Sequence, residues 1–337
     1  MSAVRVLASP LGGAGLLLVV PAVVAQAIAS SPPATSAPSP SHQPPFVIER
    51  FSLPGPLAGV VARVDVSDPR VRIEVALTDD TDPDGDGPCA GQLDFTSAAA
   101  RKRDYTIALN ASFFSAPKTI DVLGNTLRYV AGNCTWPVGW HVREGKTIHA
   151  PEGATLRAAL LVFDDGRLAI DGALAALPKG VRHAVSGNVM VLRAGVATAS
   201  EARAARHPRS AVGLSQDGKT FVMLAIDGRQ ATAEESPTGQ AHSRGATYQE
   251  TGELMKRFGA YDAINLDGGG STTMVAKDPR TGAYSLLNRP SDATTLKLPF
   301  AVERPVADVV GVRVDWTAPP AAALRDSFSA PSTSKLE

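Results

Sequence analysis

The segment Asn265–Met274, NLDGGGSTTM, gathers more chemically useful residues than any other stretch of the chain. An aspartate ends a short apolar run and is followed by three glycines and three hydroxyl residues. Glycines let a backbone approach a ligand closely and turn N–H groups toward an anion. Ser271 and Thr272 add hydroxyl donors, and Asp267 can act as acid, base, nucleophile or metal ligand. The same run also reads as a glycine-rich turn with a capping hydroxyl, and spacing alone does not separate the two. A nucleotide P-loop does not fit, because no Gly-Lys-Ser/Thr follows Gly268, Gly269 and Gly270.

Three further clusters carry usable chemistry. Arg206-His207-Pro208-Arg209-Ser210 offers guanidinium groups, which grip a phosphodiester or carboxylate through paired hydrogen bonds. A solvated basic turn is the other reading. Asp227-Gly228-Arg229 follows an apolar strand, which puts Asp227 at a strand end or in a plain turn. Asn110 precedes Phe113 and Phe114; an amide there can bond a sugar hydroxyl while a ring covers the sugar's apolar face, or both rings can serve the core. Asp82, Asp84 and Asp86 alternate as at the start of a calcium loop, but the twelfth position is Leu93 rather than glutamate. Calcium at these three is the one metal the pattern allows, against a polar surface loop. No His-Glu-x-x-His, Gly-x-Ser-x-Gly or Cys-x-x-Cys occurs, which sets aside zinc peptidase, α/β-hydrolase and thioredoxin readings.

These residues need a scaffold, and the sequence supplies one. Alternating stretches at Val60–Val66 and Val71–Val75 read as half-buried strands. Thr96–Arg103 reads as a helix with Thr96 as N-cap, and Thr247–Phe258 as a helix burying Tyr248, Thr251, Leu254, Met255 and Phe258, stopped by Gly259. Ala158–Gly172 and Ala211–Gly228 repeat one pattern of strand, Asp-Gly turn, strand and Ile-Asp-Gly. In a two-residue hairpin loop both turn residues would take positive φ. Only the second copy is flanked by arginines, which suggests a shared scaffold with function on one copy. Strands outnumber helices, so the expected class is α+β: a mixed, largely antiparallel sheet core flanked by a few helices, in a single catalytic domain.

The 337 residues carry 33 basic and 33 acidic side chains, and a chain without basic excess is a poor nucleic-acid binder. Residues 1–29 read as a signal peptide, with Arg5, the apolar run Leu11–Ala25 broken by Pro21, and Ala-x-Ala at positions 25–27 and 27–29. A membrane anchor needs ~20 uninterrupted apolar residues, so cleavage and secretion, with no stable membrane anchor left, is the expectation. Residues 30–45 read as a disordered Ser/Pro/Ala linker, 46–316 as the catalytic domain and 317–337 as a disordered tail. In an exported chain Cys89 and Cys134 can pair, the alternative being two buried thiols.

Taken in order, Ala108–Phe114, Val185–Asn188, Arg206–Gly213, Asp227–Arg229, Ala263–Met274, Asn288–Asp292 and Arg304–Val306 resemble the phosphodiester glycosidase family over roughly Phe46 to Val314. Ala111-Ser112 stands where that family more often has glycine-rich sequence. The resemblance implies a hydrolase that cleaves a sugar-1-phosphodiester, α-GlcNAc-1-phosphodiester-like, into free sugar and phosphomonoester. It implies Asp267 at the anomeric carbon, Asp227 as second carboxylate, and Asn110 and Ser186 orienting the sugar. The phosphate would lie between Arg209, the Gly268–Gly270 amides and the hydroxyls of Ser271 and Thr272, with Gly187, His207 and Arg229 nearby. Alternatives are a hydrolase of other cell-surface or exopolysaccharide linkages and a non-catalytic glycan-binding domain. The central expectation is spatial: Asp267 and the Arg209 guanidinium face one pocket.

Overall fold

A computed structural model describes residues 43–317, apart from 121–125, 152, 154–157, 199–204, 237 and 293–301. The signal peptide, nearly all of the linker and nearly all of the C-terminal tail therefore lie outside the described residues. In chain order the first elements are β1 (Phe46–Leu53), β2 (Leu57–Asp65), β3 (Val71–Leu77), β4 (Gly91–Gln92), α1 (Thr96–Arg103), β5 (Ile107–Asn110), β6 (Phe114–Ser115), β7 (Thr119–Ile120) and β8 (Thr126–Leu127). They continue with β9 (Cys134–Pro137), β10 (His141–Arg143), β11 (Lys146–His149), β12 (Ala158–Phe163), β13 (Leu168–Asp171), β14 (Val181–Gly187), β15 (Val189–Arg193) and β16 (Val196–Ala197). The last are β17 (Arg209–Leu214), β18 (Thr220–Ile226), α2 (Tyr248–Arg257), β19 (Asp262–Asn265), β20 (Met274–Lys277), β21 (Tyr284–Leu286) and β22 (Asp308–Val314).

Three large sheets enclose one apolar core. The first has the order β1-β2-β18-β17-β19-β15-β16, the second β11-β10-β14-β12-β13 and the third β21-β20-β5-β22-β3. Side chains from all three meet in the centre: Val60, Ala62 and Val64 of β2, Val71 and Ile73 of β3, Leu160 and Val162 of β12. Successive strand residues point to opposite faces, so Val61, Val222, Leu224 and Ile226 emerge on the other side of the first sheet. There they pack under α2 with Leu254, Met255 and Phe258. The outer face of the third sheet is covered by Ala99 and Ala100 of α1 and by Tyr105. Strands buried on both faces read as near-continuous apolar runs, which is why β17 and β18 lack alternation in the sequence.

The expected single domain with a largely antiparallel core is present, with less helix than the α+β class implies. All strand pairings among the described residues are antiparallel, so the sheets are not mixed, and the described residues hold only two α-helices. The chain is mostly β rather than α+β. Both helices stand where the sequence placed them, but α1 is capped differently. Thr96 is its first residue and its hydroxyl is buried without a partner among the described residues; the Glu303 carboxylate accepts the Ser97 N–H instead. In α2, Thr247 and Glu250 form a capping box. Both repeated hairpins are present, with longer turns than the two-residue type. Gly166 donates its N–H to Phe163 O and Gly218 to Ser215 O, and in each turn only the glycine has positive φ, at 84° and 69°. That geometry suits a type I turn closed by one left-handed residue.

The strand ends at one pole of the core carry the candidate site: Asn110, Arg209, Asp227, Asp267, Thr273 and Asp308 all lie at or next to such ends. Asn110 ties the sheets together there. Its Oδ1 accepts from Ser210 Oγ (2.6 Å) in the first sheet and from Thr273 N (3.1 Å) before β20, and its Nδ2 donates to Asp267 O (2.8 Å). Cys89 and Cys134 form a disulfide with Cα atoms 5.5 Å apart, joining the acidic loop to β9.

Two stability outcomes follow. Asn110→Ala strands a buried hydroxyl, an N–H and a carbonyl and should lower unfolding free energy by about 3 kcal/mol in urea melts. Replacing Cys89 and Cys134 by serine frees a 45-residue separation and should lower it by about 4 kcal/mol in the chain-entropy model, read the same way.

Candidate active site

Asp267 lies two residues beyond the end of β19 and is half-buried. Its N–H donates to Ala111 O (2.9 Å), its carbonyl accepts from Asn110, and its Oδ1 accepts from the Gly268 N–H (2.9 Å). Burial withdraws water from the carboxylate and pushes its pKa up to about 6. The Ser271 hydroxyl, the Arg304 guanidinium and the Gly268 N–H pull in the opposite direction, while the buried charge of Asp308 adds to the rise. Ser271 Oγ acts here through its dipole, since it lies outside hydrogen-bond geometry with any described group. A carboxylate tuned near neutrality beside cations is the kind of group that active sites use.

The glycine run brings the loop against three neighbours. Gly269 has φ of +63°, and a methyl on it would meet Arg229 Nη2 at 3.1 Å. A methyl on Gly270 would fall 2.0 Å from Asp292 Oδ1 and 2.1 Å from Arg304 Nη2. Only a residue without Cβ lets the loop lie this close to both groups. The Gly269 N–H donates to Pro208 O (2.9 Å), so the expected use of all three glycine amides as phosphate donors needs correction: those of Gly268 and Gly269 already serve the loop itself. After the glycines, Ser271, Thr272 and Thr273 bury their hydroxyls with no hydrogen-bond partner among the described residues. Unpaired buried hydroxyls are costly, and three in succession point to a polar ligand or ordered water.

The other predicted clusters converge on this loop, but several side chains have different work. Arg209 begins β17 next to Gly268, yet its guanidinium turns away. Nε donates to Ala246 O (3.0 Å), Nη2 to Ala205 O (3.2 Å), and its plane stacks 4.1 Å from the Tyr248 ring. Arg209 therefore braces the entry to α2, and these contacts draw its guanidinium away from the pocket it was expected to share with Asp267. Arg229 is the arginine of these clusters that lies against the glycine loop. It is exposed, has φ of +61°, has no salt-bridge partner among the described residues, and reaches over Gly269. His207 is exposed at the same rim; partial burial, then the charges of Arg209 and Arg229, lower its pKa.

Asp227 is buried behind the loop. Its Oδ2 meets His242 Nε2 at 2.7 Å, and its Oδ1 accepts from Asn288 Nδ2 (3.1 Å) and the Arg289 N–H (2.7 Å). Asn288 in turn donates to Thr272 O (3.0 Å) and accepts from Met274 N (2.8 Å), so Asp227 is wired to the glycine loop through one amide. Its counterpart in the first repeat, Asp171, is exposed and accepts from the Ala173 N–H, so the two copies differ in burial and wiring at this position.

Asn110 and Ser186 are not free to meet a sugar. Asn110 is wholly buried and uses both ends of its amide as described, and Ser186 Oγ accepts the Trp140 N–H at 2.7 Å. Gly187 lets β14 pass the Asn265 carbonyl, which a methyl would meet at 2.2 Å. Asp82 caps the N–H groups of Asp84 and Gly85, and Asp84 accepts from Cys89. Among the described residues the one acidic or metal-ligating group tight enough to share an ion is Asp84 with Cys89 and Cys134, whose sulfurs are bonded to each other. Asp82, Asp84 and Asp86 thus form a capped turn, not a converging set of ligands.

Four groups lay outside the sequence-derived site. Arg304 forms a two-pronged bond with Asp292 (2.9 and 2.8 Å) beside Gly270, and both occur in the runs that carried the resemblance. His242 has no local pattern around it. The buried Asp308 accepts from Ser112 N (2.7 Å), Ser112 Oγ (2.6 Å) and His141 Nδ1 (2.7 Å), linking the second and third sheets one residue from the Ala111–Asp267 bond. A cavity of about 1050 Å³ lies at the other pole, lined by the β17–β18 turn among others, and contains none of these residues.

No curated protein matches the chain. Among solved structures, zebrafish N-acetylglucosamine-1-phosphodiester α-N-acetylglucosaminidase, a catalytic domain auto-inhibited by its pro-peptide, superposes with a TM-score of 0.55 at 21% identity, over 83% of this chain and 85% of that one. A Burkholderia pseudomallei protein described as exported gives 0.52 at 18% identity, over 77% and 74%. A hypothetical protein from Synechocystis gives 0.52 at 13%, over 80% and 62%. At such identities the likeness is one of fold. The sequence model of phosphodiester glycosidases matches residues 103–313, the span that holds nearly every group described above. The chain belongs to the phosphodiester glycosidase family.

Proposed function

We propose that this chain hydrolyses a sugar-1-phosphodiester of the α-GlcNAc-1-phosphodiester kind, releasing free sugar and a phosphomonoester. The observation that carries the reading is the desolvated Asp267 carboxylate beside a glycine loop flanked by two guanidiniums, Arg229 and Arg304. Breaking the bond between the anomeric carbon and the phosphate oxygen turns a phosphodiester monoanion into a monoester that tends toward a dianion. Positive charge at the loop stabilises that developing charge more than it stabilises the bound substrate, which is what lowers a barrier. The sugar departs through an oxocarbenium-like state, and the Asp267 carboxylate stabilises or attacks it. Phosphate is already a good leaving group, so a strong general acid is not required.

In this scheme Arg229 contacts the phosphate, with the hydroxyls of Ser271 and Thr272. Arg304 contributes charge from beside Gly270, since Asp292 holds two of its nitrogens. Arg209, Asn110, Ser186 and the Asp227–His242 pair position the loop. The catalytic domain would be residues 46–316, exported after removal of the signal peptide. The Cys89–Cys134 disulfide favours an oxidising compartment. No helix among the described residues is long and apolar enough to cross a membrane.

Asp267 must be ionised for this role, so kcat/KM should rise with pH through about 6. In Asp267→Asn the activity should fall on the order of 10³-fold, with the rising limb lost. The same variant should be more stable than the parent. Charging Asp267 costs more in the folded state than in the unfolded one. The penalty is absent below pH 3.8, grows toward pH 6 and is constant above, at no more than about 3 kcal/mol. Denaturant melts of both proteins at acidic and neutral pH read it directly; equal stability at neutral pH would contradict the desolvated carboxylate. Arg229→Ala should cost roughly a hundredfold on phosphodiesters and far less on p-nitrophenyl glycosides, whereas Arg209→Ala should reduce both alike by loosening the fold.

A further inference from the structure

The proposed reaction leaves one proton without an acceptor. Once the bond between the anomeric carbon and the phosphate oxygen has broken, water adds to that carbon and must lose a proton. Asp267 is committed to the anomeric carbon at that moment. Asp227, the expected second carboxylate, is in no position to help. Only 3% of its side chain is exposed, and its oxygens already accept from His242 Nε2, Asn288 Nδ2 and the Arg289 N–H.

His242 is the open end of that pair, with 20% of its side-chain surface exposed. An ionised carboxylate only accepts, so Asp227 fixes the proton of a neutral imidazole on Nε2 and leaves the lone pair on Nδ1. Nδ1 makes no hydrogen bond with any described group. Two connections tie the ring to groups that the reaction gives to the phosphate. The His242 N–H donates to the carbonyl of Gln230 (2.8 Å), the residue that follows Arg229. From Asp227, the Asn288 amide leads to Thr272 O in steps of 3.1 and 3.0 Å.

We infer that His242 is the base for the attacking water, that it works from the face of the sugar which the phosphate has left, and that the reaction retains configuration through a glycosyl ester of Asp267. The inference rests on the proposed reaction and adds its second step. In the first step an Asp267 oxygen bonds the anomeric carbon, the bond from that carbon to the phosphate oxygen breaks, and the electron pair departs with the phosphomonoester. In the second the water oxygen bonds the same carbon, its proton passes to His242 Nδ1, and the ester electron pair returns to Asp267. Asp227 steadies the imidazolium, as a buried carboxylate does for a catalytic histidine, until the proton leaves to solvent.

His242→Gln keeps a side-chain N–H for Asp227 and cannot take up a proton, so it should slow the second step alone. With the methyl ester of α-GlcNAc 1-phosphate, kcat should fall about a hundredfold or more. KM should fall with it, kcat/KM should stay close to the parent value, and one equivalent of phosphomonoester should appear in a burst. Azide, which has no proton to lose, should restore kcat and give the α-glycosyl azide by NMR. The intact protein tests the same scheme without substitution, since its first-formed sugar, read before mutarotation, should be the α anomer. A β anomer would exclude the glycosyl ester. A parental kcat in His242→Gln would take His242 out of the chemistry, and kcat/KM falling in step with kcat, with no recovery in azide, would reduce it to a brace for the loop. Each of these outcomes leaves the hydrolase reading in place, whereas an intact protein that turns over no sugar phosphodiester removes both.

Discussion

Three sheets meet at the pole of this molecule that carries Asp267, and one buried amide holds them in register. Asn110 joins the end of β5 to Ser210 on the first sheet, to the Thr273 N–H on the way into β20, and to the carbonyl of Asp267 itself. A side-chain amide can accept twice and donate twice, and here its oxygen is fully used. A neutral amide does this better than a carboxylate would, because it both accepts and donates and adds no charge close to Asp267. A second buried connection, Asp308 with Ser112 and His141, fastens the second sheet to the third one residue away. The position of the carboxylate is thereby fixed from outside the loop that bears it.

That rigidity makes a costly site tenable. Asp267 is held where its charged form is disfavoured, and three successive hydroxyls are buried without partners among the described residues. None of this stabilises the fold. It persists because the surrounding strands are buried on both faces and packed on a core drawn from all three sheets. Three successive unpaired hydroxyls beside a carboxylate of raised pKa are the kind of arrangement found where a polar ligand binds.

The arginines show how local sequence and tertiary position diverge. Arg209 sits in a basic cluster and is the natural choice for a phosphate clamp, yet its guanidinium is held by backbone carbonyls and by the face of Tyr248. Arg229, a single arginine in a tight turn, and Arg304, near the end of the domain, stand over Gly269 and Gly270 instead. Nothing in the spacing of residues 206 to 229 distinguishes an arginine that braces from one that faces the loop. The difference depends on where α2 begins and on which carbonyls it leaves uncapped.

By itself the sequence determined the strands and both helices, left Cys89 and Cys134 free to pair, and singled out Asp267 with its glycines as the candidate centre of the site. These depend on periodicity, on residues whose backbone preferences are intrinsic, and on a contiguous motif, all of which act over a few positions. The tertiary structure alone decided that every sheet is antiparallel, that Asn110 and Ser186 are structural, and that Arg304, Asp292, His242 and Asp308 belong to the same pole. Those facts rest on pairings between residues as far as 196 positions apart, as between Ser112 and Asp308. Direction of a side chain and saturation of its hydrogen bonds are properties of what surrounds it, and one chain read in order does not contain its surroundings.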